Sequence, residues 1–223
     1  MKKIGFTLAE ILITLAIAGV VAALAIPSLV TKASRQAEAS RLSSIITDLE
    51  NAFGNVMTDA DTDDIFEDGV LTSGNLRKYL NYKRSGSDLP SMGYAYYNPI
   101  DKIGGWKSNA DKHDTCSTMT AYTLNNNAVV CLCDDISTCS GGDICTTEKR
   151  GKRVIIDTNG AGSNNRSGRD VFDFALGTSG KLYPRGSQNY QYLMHSSEAA
   201  PDCSSEGKGC AYKLEKNNYK VDY

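Results

Sequence analysis

The first 115 residues of this 223-residue chain hold no cysteine, the whole chain has only two histidines, and neither sign of charge is in clear excess. The 24 basic and 26 acidic residues leave a net charge of −2, so no overall positive field points to a nucleic-acid partner. The patterns Gly-x-Ser-x-Gly and His-Glu-x-x-His are missing. His113 and His195 stand among polar residues and read as surface side chains. Gly180-Lys181 is no phosphate loop, because position 175 is Ala and Leu182 follows the lysine. No internal repeat is visible. Catalysis has little support, and the chain reads as a non-enzyme without a required cofactor.

Apolar residues are present but unevenly placed. Of the 25 residues from Phe6 to Val30, 19 are apolar, and Ile11 to Val30 carry no charge. Twenty helical residues cover about 30 Å, the thickness of a bilayer core. All seven cysteines (Cys116, Cys131, Cys133, Cys139, Cys145, Cys203 and Cys210) lie in the polar remainder. Cysteines in a polar domain behind an apolar N-terminus fit an oxidising, extracytoplasmic address. These features argue against a cytosolic enzyme.

Three readings of the apolar segment compete: a signal peptide cleaved at Ala23-Leu24-Ala25, a plain signal anchor, and a segment that needs Glu10. A carboxylate in an apolar helix costs about 2.5–3.5 kcal/mol at mid-membrane and less near the interface. The context of Glu10 is a compound pattern: a basic leader with Lys2 and Lys3 ending at Gly5, an aromatic next, and the acid four residues on. The stretch Gly5-Phe6-Thr7-Leu8-Ala9-Glu10-Ile11-Leu12, with Gly19 and Pro27 further along, resembles the class III leader of type IV pilins and type II secretion pseudopilins. Ala9 stands where that family usually has a branched aliphatic residue. The resemblance covers about the first 30 residues.

The resemblance implies a definite life history. A prepilin peptidase would cut after Gly5, a residue with no side chain to obstruct the bond, and methylate the new amine on Phe6. The subunit would then join other pilin or pseudopilin subunits at an inner-membrane assembly platform. Glu10 would meet the Phe6 amine of a neighbour and set axial register, each charge offsetting the other's desolvation. Pro27 bends a helix, and Gly19 with its neighbouring alanines forms a face on which helices approach closely. The basic residues Lys32, Arg35 and Arg41 nearly balance Lys2 and Lys3 across the span. The cysteines and the resemblance therefore place the head outside, in the periplasm or at the cell exterior.

Beyond Val30, Leu42, Ile45, Ile46, Leu49, Phe53 and Val56 recur at spacings of three and four between charged residues. The pattern predicts one helix from about residue 7 to 57, or two helices broken at Pro27. A solvated acidic loop follows, from Asp59 to Asp68. It fails as an EF-hand, since position six is Asp64 and position twelve Val70. Leu71 to Tyr82 reads as a short helix capped near Ser73, and Ser85 to Gly105 as loop. Short β-rich runs come at Ala128–Cys133, Arg153–Asp157, Asp170–Leu176 and Lys181–Tyr183, the last two joined as a hairpin by Gly177-Thr178-Ser179-Gly180. The expected fold class is α+β: a long N-terminal helix on a small antiparallel sheet with disulfide-containing loops, pilin-like. The expected division is a leader at 1–5, a helix at 6–57 with its membrane segment at about 6–30, and a head at 58–223.

Two head features bear on ligands. The segment Asp157-Thr158-Asn159-Gly160 to Gly168-Arg169-Asp170-Val171-Phe172 resembles a loop of many pilin-like heads. Its Asp157, Asn159 and Asp170 either hold Ca²⁺ or, the favoured reading, bond their own backbone and fix the loop. Cys203 and Cys210 bracket six residues and are expected to pair. Cys131 and Cys133 share a strand face and are not expected to pair with each other. One thiol of the other five is left over, free or cross-linking subunits. A zinc site from His113, Cys116, Cys131 and Cys133 lacks the paired Cys-x-x-Cys spacing. The favoured reading is a minor, priming or tip subunit. A secreted or anchored disulfide-bonded adhesin is its competitor, and an extracytoplasmic hydrolase would need a pocket with convergent polar groups.

Overall fold

The computed structural model describes residues 7–86, 119–137, 151–160, 167–194, 203 and 209–221. Helix α1 runs unbroken from Leu8 to Ala60, through Pro27. Thr7 caps it: its hydroxyl accepts from the Glu10 N–H at 3.3 Å, while the Glu10 carboxylate accepts from the Thr7 N–H at 2.8 Å. The hydroxyls of Thr14, Ser28 and Thr31 bond back to the carbonyls of Ile11, Ala25 and Pro27 at 2.9 Å, so these polar side chains are satisfied inside an apolar stretch. Asp61 ends the helix in the left-handed conformation (φ 53°), its N–H bonded to the Met57 and Thr58 carbonyls.

The two halves of α1 have different surroundings. From Leu8 to Val30 every large apolar side chain is exposed, and no other element among the described residues covers them. From Ala39 onward, Leu42, Ile45, Ile46, Leu49, Phe53 and Val56 are buried, as their spacing predicts, together with Ala39 and Ala52. Burying each of the large side chains is worth about 1.5–3 kcal/mol.

They pack on a six-stranded antiparallel meander, in the order β1 to β6. The strands are β1 (Tyr82–Gly86), β2 (Met119–Leu124), β3 (Val129–Ser137), β4 (Gly151–Asp157), β5 (Val171–Gly177) and β6 (Leu182–Pro184). Period-two alternation turns Val130, Leu132, Val154, Ile156, Phe172, Phe174 and Leu176 toward α1. Helix α2 (Ser73–Tyr79) follows α1; helices α3 (Gln188–Met194) and α4 (Cys210–Lys216) follow the sheet. On the sheet's second face, Tyr190, Leu193 and Met194 of α3 cover Ala175, while Ala211 and Leu214 of α4 join the core under α1.

Several boundaries differ from expectation. The cap of α2 near Ser73 is Thr72, its hydroxyl accepting from the Asn75 N–H at 3.1 Å. Tyr82 leaves the helix to pair with Leu124. Residues 82–86, partly assigned to loop, form edge strand β1, whose Lys83, Arg84 and Ser85 are exposed and leave no apolar alternation to read. The rest of the expected loop, through Gly105, lies outside the described residues. The acidic stretch is not loop throughout: Asp59 sits in the last turn of α1, and Ile65 and Phe66 insert into the core. The Ile65 N–H donates to the Thr178 carbonyl at 2.8 Å, hooking this turn to the β5–β6 hairpin.

The docking of α1 on the sheet is the main apolar interface of the head. Leu49→Ala, fully buried at its centre, should cost about 2–5 kcal/mol by denaturant unfolding of the detergent-solubilised protein.

Candidate functional site

Glu10 lies in the first turn of a bare apolar helix. Its carboxylate accepts from both the N–H and the hydroxyl of Thr7, at 2.8 and 2.9 Å, and remains solvent-exposed. Gly19 lies midway along the same bare half, with open space where a Cβ would stand. Pro27 leaves the helix unbroken, so the expectation of one helix holds over that of two. Gly5 and Phe6 lie outside the described residues.

Residues 1–26 match the family model of the prokaryotic N-terminal methylation motif. The chain carries a class III prepilin leader. The match ends before the head begins, and no curated protein or solved structure matches the chain. The leader thus runs directly into a helix long and apolar enough to serve as a single-pass anchor.

In the head, Asp157, Asn159 and Asp170 come together. The Asp157 carboxylate accepts from the N–H groups of Asn159 and Gly160 at 3.1 and 2.9 Å. The Asn159 side-chain amide donates to Asp170 at 3.0 Å. The Thr158 N–H and hydroxyl both donate to the Asp170 carbonyl. These bonds are those of an Asx turn tied to the start of β5. Gly160 takes φ +80° against the Asn127 carbonyl, where a Cβ would collide with backbone. Among the described residues, no three His, Cys, Asp or Glu side chains form a group able to hold a metal.

Cys203 and Cys210 form the expected disulfide, tying residue 203 to the start of α4. Cys131 and Cys133 share one face of β3, opposite Ala121 and Met119. Cys133 is disulfide-bonded to a partner outside the described residues, whereas Cys131 is a free, buried thiol. Burial, with the nearby Asp157 charge, pushes the Cys131 thiol up to about 12. A thiol held there is neither nucleophilic nor placed to cross-link subunits. Cys116, Cys139, Cys145 and both histidines lie outside the described residues.

One buried network was not anticipated. On the sheet face away from α1, Asp173 accepts a forked pair of bonds from Arg153, the shorter at 2.7 Å. It also accepts from Arg185 at 3.0 Å and from the Tyr190 hydroxyl at 3.2 Å. All four side chains are buried. Burial alone would raise the Asp173 pKa, but the two guanidinium groups hold it below the usual carboxylate value. The signal in the sequence was a lone acid inside the apolar run Val171-Phe172-Asp173-Phe174-Ala175-Leu176.

Asp173→Asn removes the anion between two buried cations and should cost about 3–5 kcal/mol. A depressed folded-state pKa gives stability that is present above the unfolded aspartate value of about 3.9 and lost as pH falls through the lower folded value. Thermal unfolding across acid pH should therefore show wild type losing stability below about pH 4, and the variant losing less.

Proposed function

We propose that this protein is a prepilin-like subunit of a type IV pilus or type II secretion pseudopilus, in a minor, priming or tip role. A prepilin peptidase cuts it between Gly5 and Phe6 and methylates the Phe6 amine. The chain stays in the inner membrane by its single span, head outside, until an assembly platform lifts it into a filament with other pilin or pseudopilin subunits. It is the substrate of its processing enzyme, not an enzyme.

A single observation carries this reading: the methylation motif opens a 53-residue helix whose first half is apolar and uncovered. Such a surface is costly in water and needs lipid or other helices around it. Glu10 is the one charge within it. In the separate subunit its carboxylate is occupied by Thr7. In a bundle of such helices, the methylated amine of a neighbour's Phe6 supplies the opposite charge, and the pair fixes where one helix stands along the next. Gly19 and the alanines around it allow close approach, and Pro27 gives the bend that packing requires. The bulk of the cysteine-rich head favours the minor role, since it limits close helical repetition.

Glu10→Val keeps the span apolar and removes only the charge. In cells that assemble the filament, the variant should accumulate in the membrane at wild-type level and be absent from the sheared filament fraction. Entry of the variant into filaments at wild-type level would contradict the proposal, and an adhesin released at Ala25 would be indifferent to the change.

A further inference from the structure

Basic residues gather where α1 leaves its apolar half. Lys32, Arg35 and Arg41 follow Val30, with Glu38 the acid among them. The fold brings more to the same level. The Gln36 side-chain amide donates to the Tyr219 carbonyl at 2.8 Å and accepts from the Val221 N–H at 3.1 Å, which sets Lys220 beside this part of the helix. Arg169 pairs with Glu38 at 3.4 Å, and Arg41 donates to the Thr158 carbonyl at 3.2 Å. Asp157 and Asp170, at the same end, are buried within their own loop. Lys32 and Lys220 are exposed, with no ion pair among the described residues. The opposite end of the head carries Asp59, Asp61, Asp63, Asp64, Glu67 and Asp68, about 40 Å along the helix from Lys32.

This polarity has a direction. By helical rise, Lys32 lies about 3 Å beyond Val30 and Gln36 about 9 Å. Physiological salt screens a charge over about 8 Å, so Lys32 and the level of Lys220 lie within about one screening length of the headgroups, Arg41 about two lengths away and the acidic end far outside. On the charge rule alone, such residues beside a span belong on the cytoplasmic side. A local attraction on the head's side accounts for their presence there.

We infer that this basic collar docks the base of the head on anionic phospholipid headgroups of the leaflet from which α1 emerges. The inference rests on the reading of residues 8–30 as a membrane span. The contact holds the head upright over the bilayer, and removing the subunit from the membrane breaks it.

The test uses full-length protein in nanodiscs of phosphatidylcholine alone or of an equal mixture with phosphatidylglycerol. Hydrogen exchange at 217–221 and 167–170 should slow about fivefold in the mixed discs. The double variant Lys32→Glu, Lys220→Glu should lose that slowing while exchange in β4 and β5 stays unchanged. Equal exchange in the two kinds of disc, or slowing that persists in the double variant, would overturn the inference and leave the membrane reading standing. A chain that does not enter discs at all would overturn both.

Discussion

The structure depends on one helix that serves two solvents without a break. Ile11 to Val30 form an uncharged, exposed apolar stretch long enough to cross a bilayer, and Ala39 to Val56 supply the stripe around which the head is built. Backbone hydrogen bonding makes a helix the economical way to cross from one environment to the other, since every interior N–H and C=O is satisfied along the way. Pro27 removes one such bond, and α1 continues regardless because the residues on both sides remain helical. The head does not merely follow the anchor; it folds on the anchor's own continuation.

That arrangement couples the head to any force on the helix. Besides the apolar stripe and the Asp59–Lys78 ion pair to α2 at 3.3 Å, α1 grips four segments among the described residues through polar side chains. Gln36 holds the backbone at Tyr219 and Val221, and Glu38 holds Arg169. Arg41 holds the Thr158 carbonyl, and Glu50 accepts from the Leu182 N–H at 3.0 Å. Three of these four contacts are made to main chain, so they depend on the fold rather than on the partner's side chain. An axial pull on the helix is thereby spread over the C-terminal segment, the Asx turn, the start of β5 and the last strand. Under the proposed function, in which the subunit is drawn out of a membrane into a filament, such a distributed grip is mechanically suited.

The sequence made some of this legible because the physics was local. The apolar stripe from Leu42 to Val56 states both the helix and its buried face, and the Gly-Thr-Ser-Gly turn between β5 and β6 states its hairpin. Cys131 and Cys133 follow strand parity to a shared face, whereas the partner of Cys133 depends on tertiary placement. Strand β1 hid behind exposed charges. Strand β2, Met119-Thr120-Ala121-Tyr122-Thr123-Leu124, has the β-branched and aromatic residues of a strand and is legible in its composition. Helices α3 and α4 have seven residues each, two turns, too short for a period to stand out. The Asp173 network needed the register of β4 against β5 before Arg153 could be placed beside it. The Asx turn of Asp157 was readable from its residue types, since Asp and Asn followed by Gly bond their own backbone wherever φ must turn positive.

The described residues of the head hold a buried carboxylate between two arginines, a buried thiol, a disulfide and a self-bonded turn. The distinctive chemistry lies at the N-terminus, where a leader, an aromatic residue and a carboxylate are set at the end of a bare helix. The most direct measurement is the intact mass and N-terminal sequence of the protein taken from its native membrane. A chain that begins at Phe6 and carries one added methyl is the predicted result. A chain that begins at Ile26, or one that retains Met1, would contradict the account.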